Sequence, residues 1–474
     1  MAFVCAALLT LVVGFYVLER FRGRAAWNAY QAEARARGVK LDFADFVPPK
    51  VPDAENFASI PVFAAAFEAS DKRQEIPNPF KLPSLQGRDL PKRSDPTKQA
   101  VIDLAGWQKY FVETKLLPAA GDAAATDVLQ ALDHFAAPLA QLHEAGARPR
   151  CSFPVHWEQK WGALLPHLQL LQDASKLYAL RMSAHLASGE SGAAYEDFRD
   201  SLRLTTAIRE EPSFISGLVR IANTAVVLNA VWGGLAEHQW AEPELRRIET
   251  DLAALDWLKD YEIAMESERA AWNALFDLLI NDPARAAEIA RSGSSADGAR
   301  TTEWILRFYP SGWNYQSSLR MNRYFDELLA RLDPVQHRWF ADRPTPSSPQ
   351  NIRTMPTKIH YLFFAISAPL FEAVENKWVQ AATVTDQARL ACALERFRMA
   401  HESFPDALAE LAPGFIPEVP AEIVNGEAYH YRRTDDGSFV LYSVGTDLRD
   451  DGGVIDPKLS ASKQRDWVWR YPAK

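Results

Sequence analysis

The chain has 474 residues, of which 48% are hydrophobic and 24% charged, and its formal net charge is −9. That length allows about two to four domains with sizeable packed cores, and the acidic balance excludes the basic face that a nucleic-acid partner requires. Cys5, Cys151 and Cys392 are the three cysteines, too few and too scattered to build a disulfide framework or a zinc site.

Ala2 to Leu18 runs without a charge and is closed by Glu19, Arg20, Arg22 and Arg24. About 17–25 apolar residues span a bilayer, so this stretch predicts a single transmembrane helix over 1–24. A cleaved signal would show a basic start and a small-residue cleavage site, which the run does not have. The arginines that follow the span place the bulk of the chain in the cytoplasm by the positive-inside rule. Residues 25–98 predict a juxtamembrane helix, with Trp27, Tyr30 and Ala34 on one face up to Gly38, and then a proline-rich extended strap from Val47 to Phe63. The run WNAYQAEARARGVKLDFADFVPPKVPDAENFASIPVF is similar to the juxtamembrane segment of a set of uncharacterised single-anchor bacterial membrane proteins. That resemblance implies a topology and no activity.

From 99 to 383 the pattern becomes long helices punctuated by proline and glycine. The expected elements are Val101–Leu117, Thr126–Glu144, Trp157–Ser188, Gly192–Glu210, Ser213–Glu237, Pro243–Leu255 and Asp260–Leu279. The stretch LYALRMSAHLASGESGAAYEDFRDSLRLTTAIREEP resembles one tetratricopeptide-type hairpin, but no strict period repeats it, so an irregular helical array is expected. Asn281 to Arg300 and Asp342 to Pro356 look like breaks, and a helix from about Lys358 carries towards the Leu390 region.

No HExxH, GxSxG, P-loop or GxGxxG-helix motif occurs, so no catalytic residue is assigned. His134, His143, His156, His167 and His185 sit singly on helical patterns without a carboxylate at ligand spacing, which favours core-edge or surface roles. Glu262 and Glu266 share a helix face with Glu268 and Arg269 nearby. A solvated charge face is the stronger reading there, acid–base work the weaker. Trp304, Phe308, Tyr309, Trp313 and Tyr315 form an aromatic-rich segment that suits the packing of a helix–loop joint better than a groove for sugars or peptides.

The last part, 384–474, reads as a helix through Leu390, Leu394 and Phe397 that stops at Ser403-Phe404-Pro405. A hairpin follows with its turn at Asp435-Asp436-Gly437, and a last strand alternates Trp467, Trp469 and Tyr471. The order ALERFRMAHESFPDALAEL … YHYRRTDDGSFVLYSVGTDLRDDGG resembles the C-terminal globular part of the major pseudopilins of type II secretion. The resemblance covers roughly the last fifth of the chain, and it implies a small antiparallel sheet and an acidic loop that binds calcium. Carried across, the calcium ligands are Asp447, Asp450 and Asp451, with backbone carbonyls near Ser443 and Leu448. Several hundred residues separate this tail from the anchor, so the chain is not itself a pilin and shares at most one module. Calcium prefers six to eight oxygens on a flexible loop, which such a loop can supply. The plainer reading is an acidic turn that leaves the hairpin.

The expected fold is therefore mostly α: an N-terminal transmembrane helix, an irregular helical array that is tetratricopeptide-like in part, and a small C-terminal α+β pilin-like module with an antiparallel sheet. The tail favours export over the arginine rule, giving a single-pass inner-membrane protein with its bulk in the periplasm. The expected partners are the membrane and a protein. Binding or assembly at the envelope is the leading role, and the alternative is an envelope hydrolase with its site in a cleft of the helical domain.

Overall fold

The structure, a computed structural model, describes residues 2–83, 101–292, 309–343, 362–455 and 465–470. It is mostly helical with a small antiparallel sheet near the C-terminus. The apolar run and the juxtamembrane helix form one continuous helix, α1 (Ala2–Ala36). It ends where Gly38 adopts φ +81° and Val39 N–H donates to the Ala34 carbonyl at 3.0 Å, a left-handed exit that glycine accepts at low cost. The side chains of Phe3 to Leu18 are exposed almost throughout, and from Trp27 onward one face of α1 is buried. Phe214–Ala236 is the other described helix apolar and long enough to cross a bilayer, but most of it is buried inside the body.

The expected strap is partly helical. After two short 3₁₀ turns the chain enters α2 (Pro61–Asp71), with Pro61 in the first turn, where its missing N–H costs nothing. Two long expected helices are each broken by a proline. Thr126–Glu144 divides into α4 (Ala124–Leu132) and α5 (Ala136–Gly146), because a helix continuous through Pro138 would lose a hydrogen bond and clash with the preceding turn. Trp157–Ser188 divides at Pro166 into a short 3₁₀ segment and α6 (His167–Ala187). The first helix of the body, expected over Val101–Leu117, is the shorter α3 (Leu104–Glu113), capped by Asp103 accepting from Gly106 N–H at 2.9 Å.

α6 turns back through Gly189 (φ +77°) into α7 (Ser191–Ala207). α8 (Phe214–Ala236), capped by Ser213, packs on both, and α9 (Glu242–Ala253) and α10 (Trp257–Asn281) follow. The expected break after Asn281 begins as a helix, α11 (Pro283–Ser292); the rest of that stretch, with Trp304 and Phe308, lies outside the described residues. α12 (Ser311–Leu329) then lies along the inner half of α1. A two-residue ladder, β1 (Leu332–Asp333) with β2 (Arg338–Trp339), follows it.

α13 (Leu362–His401) is the axis of the body. Its Phe371, Trp378 and Ala382 belong to a core shared with α10 and α12, while Ala388, Leu390, Ala391 and Leu394 belong to the larger core formed by α2 to α9. Position 383/384, where sequence composition suggests a domain boundary, therefore lies inside one unbroken helix. The C-terminal sheet has the order β3 (His430–Arg433), β4 (Phe439–Ser443), β5 (Trp467–Arg470), all antiparallel, with His430 opposite Tyr442 and Leu441 opposite Trp469. Gly437 (φ +79°) makes the hairpin turn. The sheet is tied to α13 by Gln387 Nε2, which donates to the Trp467 carbonyl at 2.6 Å, and by Tyr429 Oη, which donates to Asp386 at 3.3 Å.

Candidate functional site

A cleft of about 640 Å³ is bounded by α5, α7, α8, the end of α9 and the start of α10. Its chemistry comes from a stripe on α7, where Arg199, Asp200, Arg203 and Thr206 share a face by helical spacing. α5 adds His143 and Glu144, α8 adds Arg220, and Arg209, Asp251 and Asp260 complete the walls. Leu202 and Leu255 supply apolar surface.

At the floor, Asp260 receives two arginines: Arg209 Nε donates at 2.6 Å and Arg220 Nη2 at 2.7 Å. Arg220 is itself buried, donates through Nε to the Thr205 carbonyl at 3.0 Å, and lies over the Trp257 ring. Burial lowers its pKa, and the Asp260 charge opposes that shift. A buried guanidinium is tolerated here because a carboxylate, a carbonyl and a ring face replace its hydration. Arg203 has a different environment. It donates to the Arg148 carbonyl at 2.9 Å, lies over the Phe57 ring, and is held down in pKa by burial.

At the mouth, His143 Nδ1 lies 2.8 Å from the Asp200 carboxylate. Burial raises the Asp200 pKa, and the hydrogen bond to His143 works against that rise. Asp251 accepts from Tyr195 Oη at 2.9 Å and is likewise raised by burial. Behind α7, Asp197 is bound by Arg181, yet burial still lifts its carboxyl to about 6. The cleft thus holds cations and carboxylates in near balance, with most of its carboxylates already bonded to a protein donor. Thr206 is the one hydroxyl or thiol in its lining, and its Oγ1 donates to the Arg203 carbonyl at 3.1 Å.

Four of the five histidines that look isolated in sequence, His143, His156, His167 and His185, meet a carboxylate in space, as does His238. His156 meets Asp71 and Glu158, His185 meets Glu190 at 2.6 Å, and His238 meets Glu395 at 2.8 Å. His167 is fully buried, stacked on Phe153 with centroids 4.0 Å apart, and lies 2.8 Å from Glu211. His134 packs edge-on against Phe135. On α10, Glu262 pairs with Lys259 at 2.5 Å, burial raises the Glu266 pKa, and Glu268 accepts from Trp272 at 3.1 Å with its carboxyl pushed up to about 7 by burial. Arg269 turns away from this acidic face and bonds Asp326 at 2.8 Å. Of the aromatic segment, Trp313 packs edge-on against Phe15 and Tyr309, and Tyr315 joins the seat of α1.

In the acidic loop, Asp447 accepts from the Arg449 N–H at 3.1 Å. Asp450 accepts from Tyr442 Oη at 3.0 Å and the Gly452 N–H at 2.8 Å, and Asp451 lies 3.6 Å from Arg465. The loop backbone is gathered by Asp466, whose carboxylate accepts from the Asp451 N–H at 3.1 Å and the Gly453 N–H at 2.7 Å. Ser443 Oγ donates to Glu422, and Leu448 takes φ +57°. The three aspartates share the loop but are turned to separate partners, and no group of three His, Cys, Asp or Glu converges as a metal site among the described residues.

Comparison with protein-family models, with curated proteins and with solved structures finds no match in any of the three.

Proposed function

We propose that this chain is a membrane-anchored envelope protein that binds a protein partner, with the α5–α7–α10 cleft as the binding surface. One observation carries the reading: the cleft offers fixed guanidinium groups of both buried and rim position beside short apolar walls, while its buried carboxylates are already bonded to protein donors. Such a surface suits a polar segment of mixed charge, and Arg is among the residues that dominate such contacts. The test is a photo-crosslinking residue at position 202 in the full chain. A discrete adduct that disappears on Arg199→Glu with Arg203→Glu supports the reading, and the absence of any discrete adduct overturns it.

A hydrolase is the second reading, favoured by the His143–Asp200 pair at the cleft mouth. A histidine oriented by a carboxylate is the arrangement a general base needs. Turnover of ester, peptide or phosphoester model substrates that is lost in His143→Ala would establish it.

For the tail we propose a pilin-like module whose loop takes calcium through Asp447, Asp450 and Asp451. Loading requires these carboxylates to exchange their bonds to Tyr442 and Arg465 for the ion. The melting temperature of the full chain in detergent rises with millimolar calcium if this holds, and Asp450→Ala with Asp451→Ala removes the rise. The tail resemblance favours an inner-membrane protein whose body stands in the periplasm. A reporter fused to the C-terminus, active only on one side of the membrane, decides it.

A further inference from the structure

Where α1 leaves its apolar stretch, a second concavity of about 450 Å³ opens between α1 and α12. Phe21, Arg22, Ala25 and Ala26 line it from α1, and Gln316, Arg320 and Arg323 from α12. Its position is fixed by an unusually close helix crossing. A Cβ on Gly23 would stand 2.4 Å from the Gly312 carbonyl oxygen, and a Cβ on Gly312 would stand 2.3 Å from the Glu19 backbone. Glu19, buried at the crossing, accepts from Arg22 at 2.8 Å and from Gln316 at 2.7 Å. That bond uses the one carboxylate among the cavity's near neighbours on α1.

Arg320 and Arg323 lie one turn apart on α12, and neither has a carboxylate within ion-pair distance among the described residues. Arg20 and Arg24, both exposed on α1, are likewise without an ion pair there. Of the three arginines lining the cavity, Arg22 is paired with Glu19, while Arg320, whose guanidinium lies 5.8 Å from the Phe364 ring centroid, and Arg323 have no carboxylate partner among the described residues; Phe21 beside them is 74% exposed. On the bilayer side, Trp313 and Tyr309 pack beside Phe15, the aromatic placement expected at the headgroup level.

We infer that this cavity is a headgroup site for an anionic phospholipid, with Arg320 and Arg323 clamping its phosphate, Arg22 beside them on its Glu19 partner, and Phe21 lying along its acyl chains. The inference rests on the proposed anchoring of α1 and adds to it a lipid class and the residues that select it. Arginine suits a phosphate because its fork presents parallel donors, and a pocket at the membrane face meets a lipid already concentrated in two dimensions. The close glycine crossing keeps the arginines on α12 at a set depth relative to α1.

The full chain in neutral detergent is titrated with phosphatidylglycerol, phosphatidylcholine or soluble glycerol 3-phosphate while its melting temperature is followed. Phosphatidylglycerol is expected to stabilise at far lower concentration than phosphatidylcholine. Each arginine beside an anionic lipid contributes about fivefold in affinity, about 1 kcal/mol. Arg320→Gln with Arg323→Gln should therefore lower the preference about 25-fold, whereas the remote Arg246→Gln leaves it unchanged. Arg320→Lys with Arg323→Lys keeps the charge without the fork, so it retains part of the preference and controls for folding. Equal response to both lipids, or a preference that survives the glutamine variant, overturns the site. Stabilisation by glycerol 3-phosphate alone assigns the pocket to a free phosphate and overturns the lipid. Alkaline extraction of native membranes separates the two levels: release of the chain would defeat the anchor itself, and retention without lipid preference would defeat only the headgroup site.

Discussion

Asp326 on α12 collects Tyr30 Oη at 2.9 Å, Arg37 Nη2 at 3.0 Å and Arg269 Nη1 at 2.8 Å, and so joins α1, α12 and α10 through one carboxylate. Arg269 is 1% exposed, so Asp326→Ala leaves a buried charge without its partner. We expect a loss of about 3–5 kcal/mol in denaturant unfolding, with partial recovery when Arg269→Met is added. Glu422 makes the opposite case. Burial pushes its carboxyl up to about 7, Ser443 Oγ donates to one oxygen at 3.0 Å, and the other has no hydrogen-bond partner among the described residues. The folded state holds this proton more tightly than the unfolded chain, whose carboxyl titrates near 4.5. Its contribution is therefore full below 4.5 and is lost as pH rises through about 7. Glu422→Gln should stabilise the chain at pH ~8 by about 1–3 kcal/mol and flatten stability against pH between those limits. None of these pairings is legible in sequence, because their partners lie far apart along the chain, as Tyr30 and Asp326 do, and helical periodicity gives a face without its neighbour.

Periodicity and punctuation serve the elements better. α8 and α10 lie within a few residues of expectation because their apolar periodicity is strong, although the Asp256 cap sets the start of α10 three residues before Asp260; the hairpin turn at Gly437 and the Trp467–Trp469 strand are both readable. The misplacements have a common cause. The apolar pattern runs on through Pro138 and Pro166, which interrupt the helices there, and Pro61 lies in a proline-rich stretch yet opens a helix. The reciprocal fit of Gly23 and Gly312 was also hidden, since a glycine inside a helix declares its purpose only when the opposing backbone is present. Gly312→Leu should force the α1–α12 crossing apart, costing about 1–3 kcal/mol in thermal or denaturant unfolding and exposing the junction near Arg24 to protease. The charged stripe Arg199-Asp200-Arg203 is not singled out by sequence, because His143 and Asp260 reach it from other helices.

At the scale of the molecule, α13 threads both cores and carries the sheet, so the tail is not an appendage. α1 divides differently, with residues 2–18 exposed and Trp27, Tyr30 and Ala34 seated on the body. A chain beginning at residue 19 should stay folded and leave the membrane fraction. A chain beginning at residue 39 loses that seat and should aggregate or melt at lower temperature, as size-exclusion chromatography and calorimetry would register. The exposed apolar stretch of α1 passes into the body as unbroken helix pinned at Gly23 and Asp326, so if it is the proposed anchor the body has no leash. Anchored in that way, it would spin about the membrane normal and drift sideways, but it would not dip, swing or reach. On the proposed reading, a partner of the α5–α7–α10 cleft would have to arrive at one altitude above the lipid, and a pull on it would become a tilt of α1.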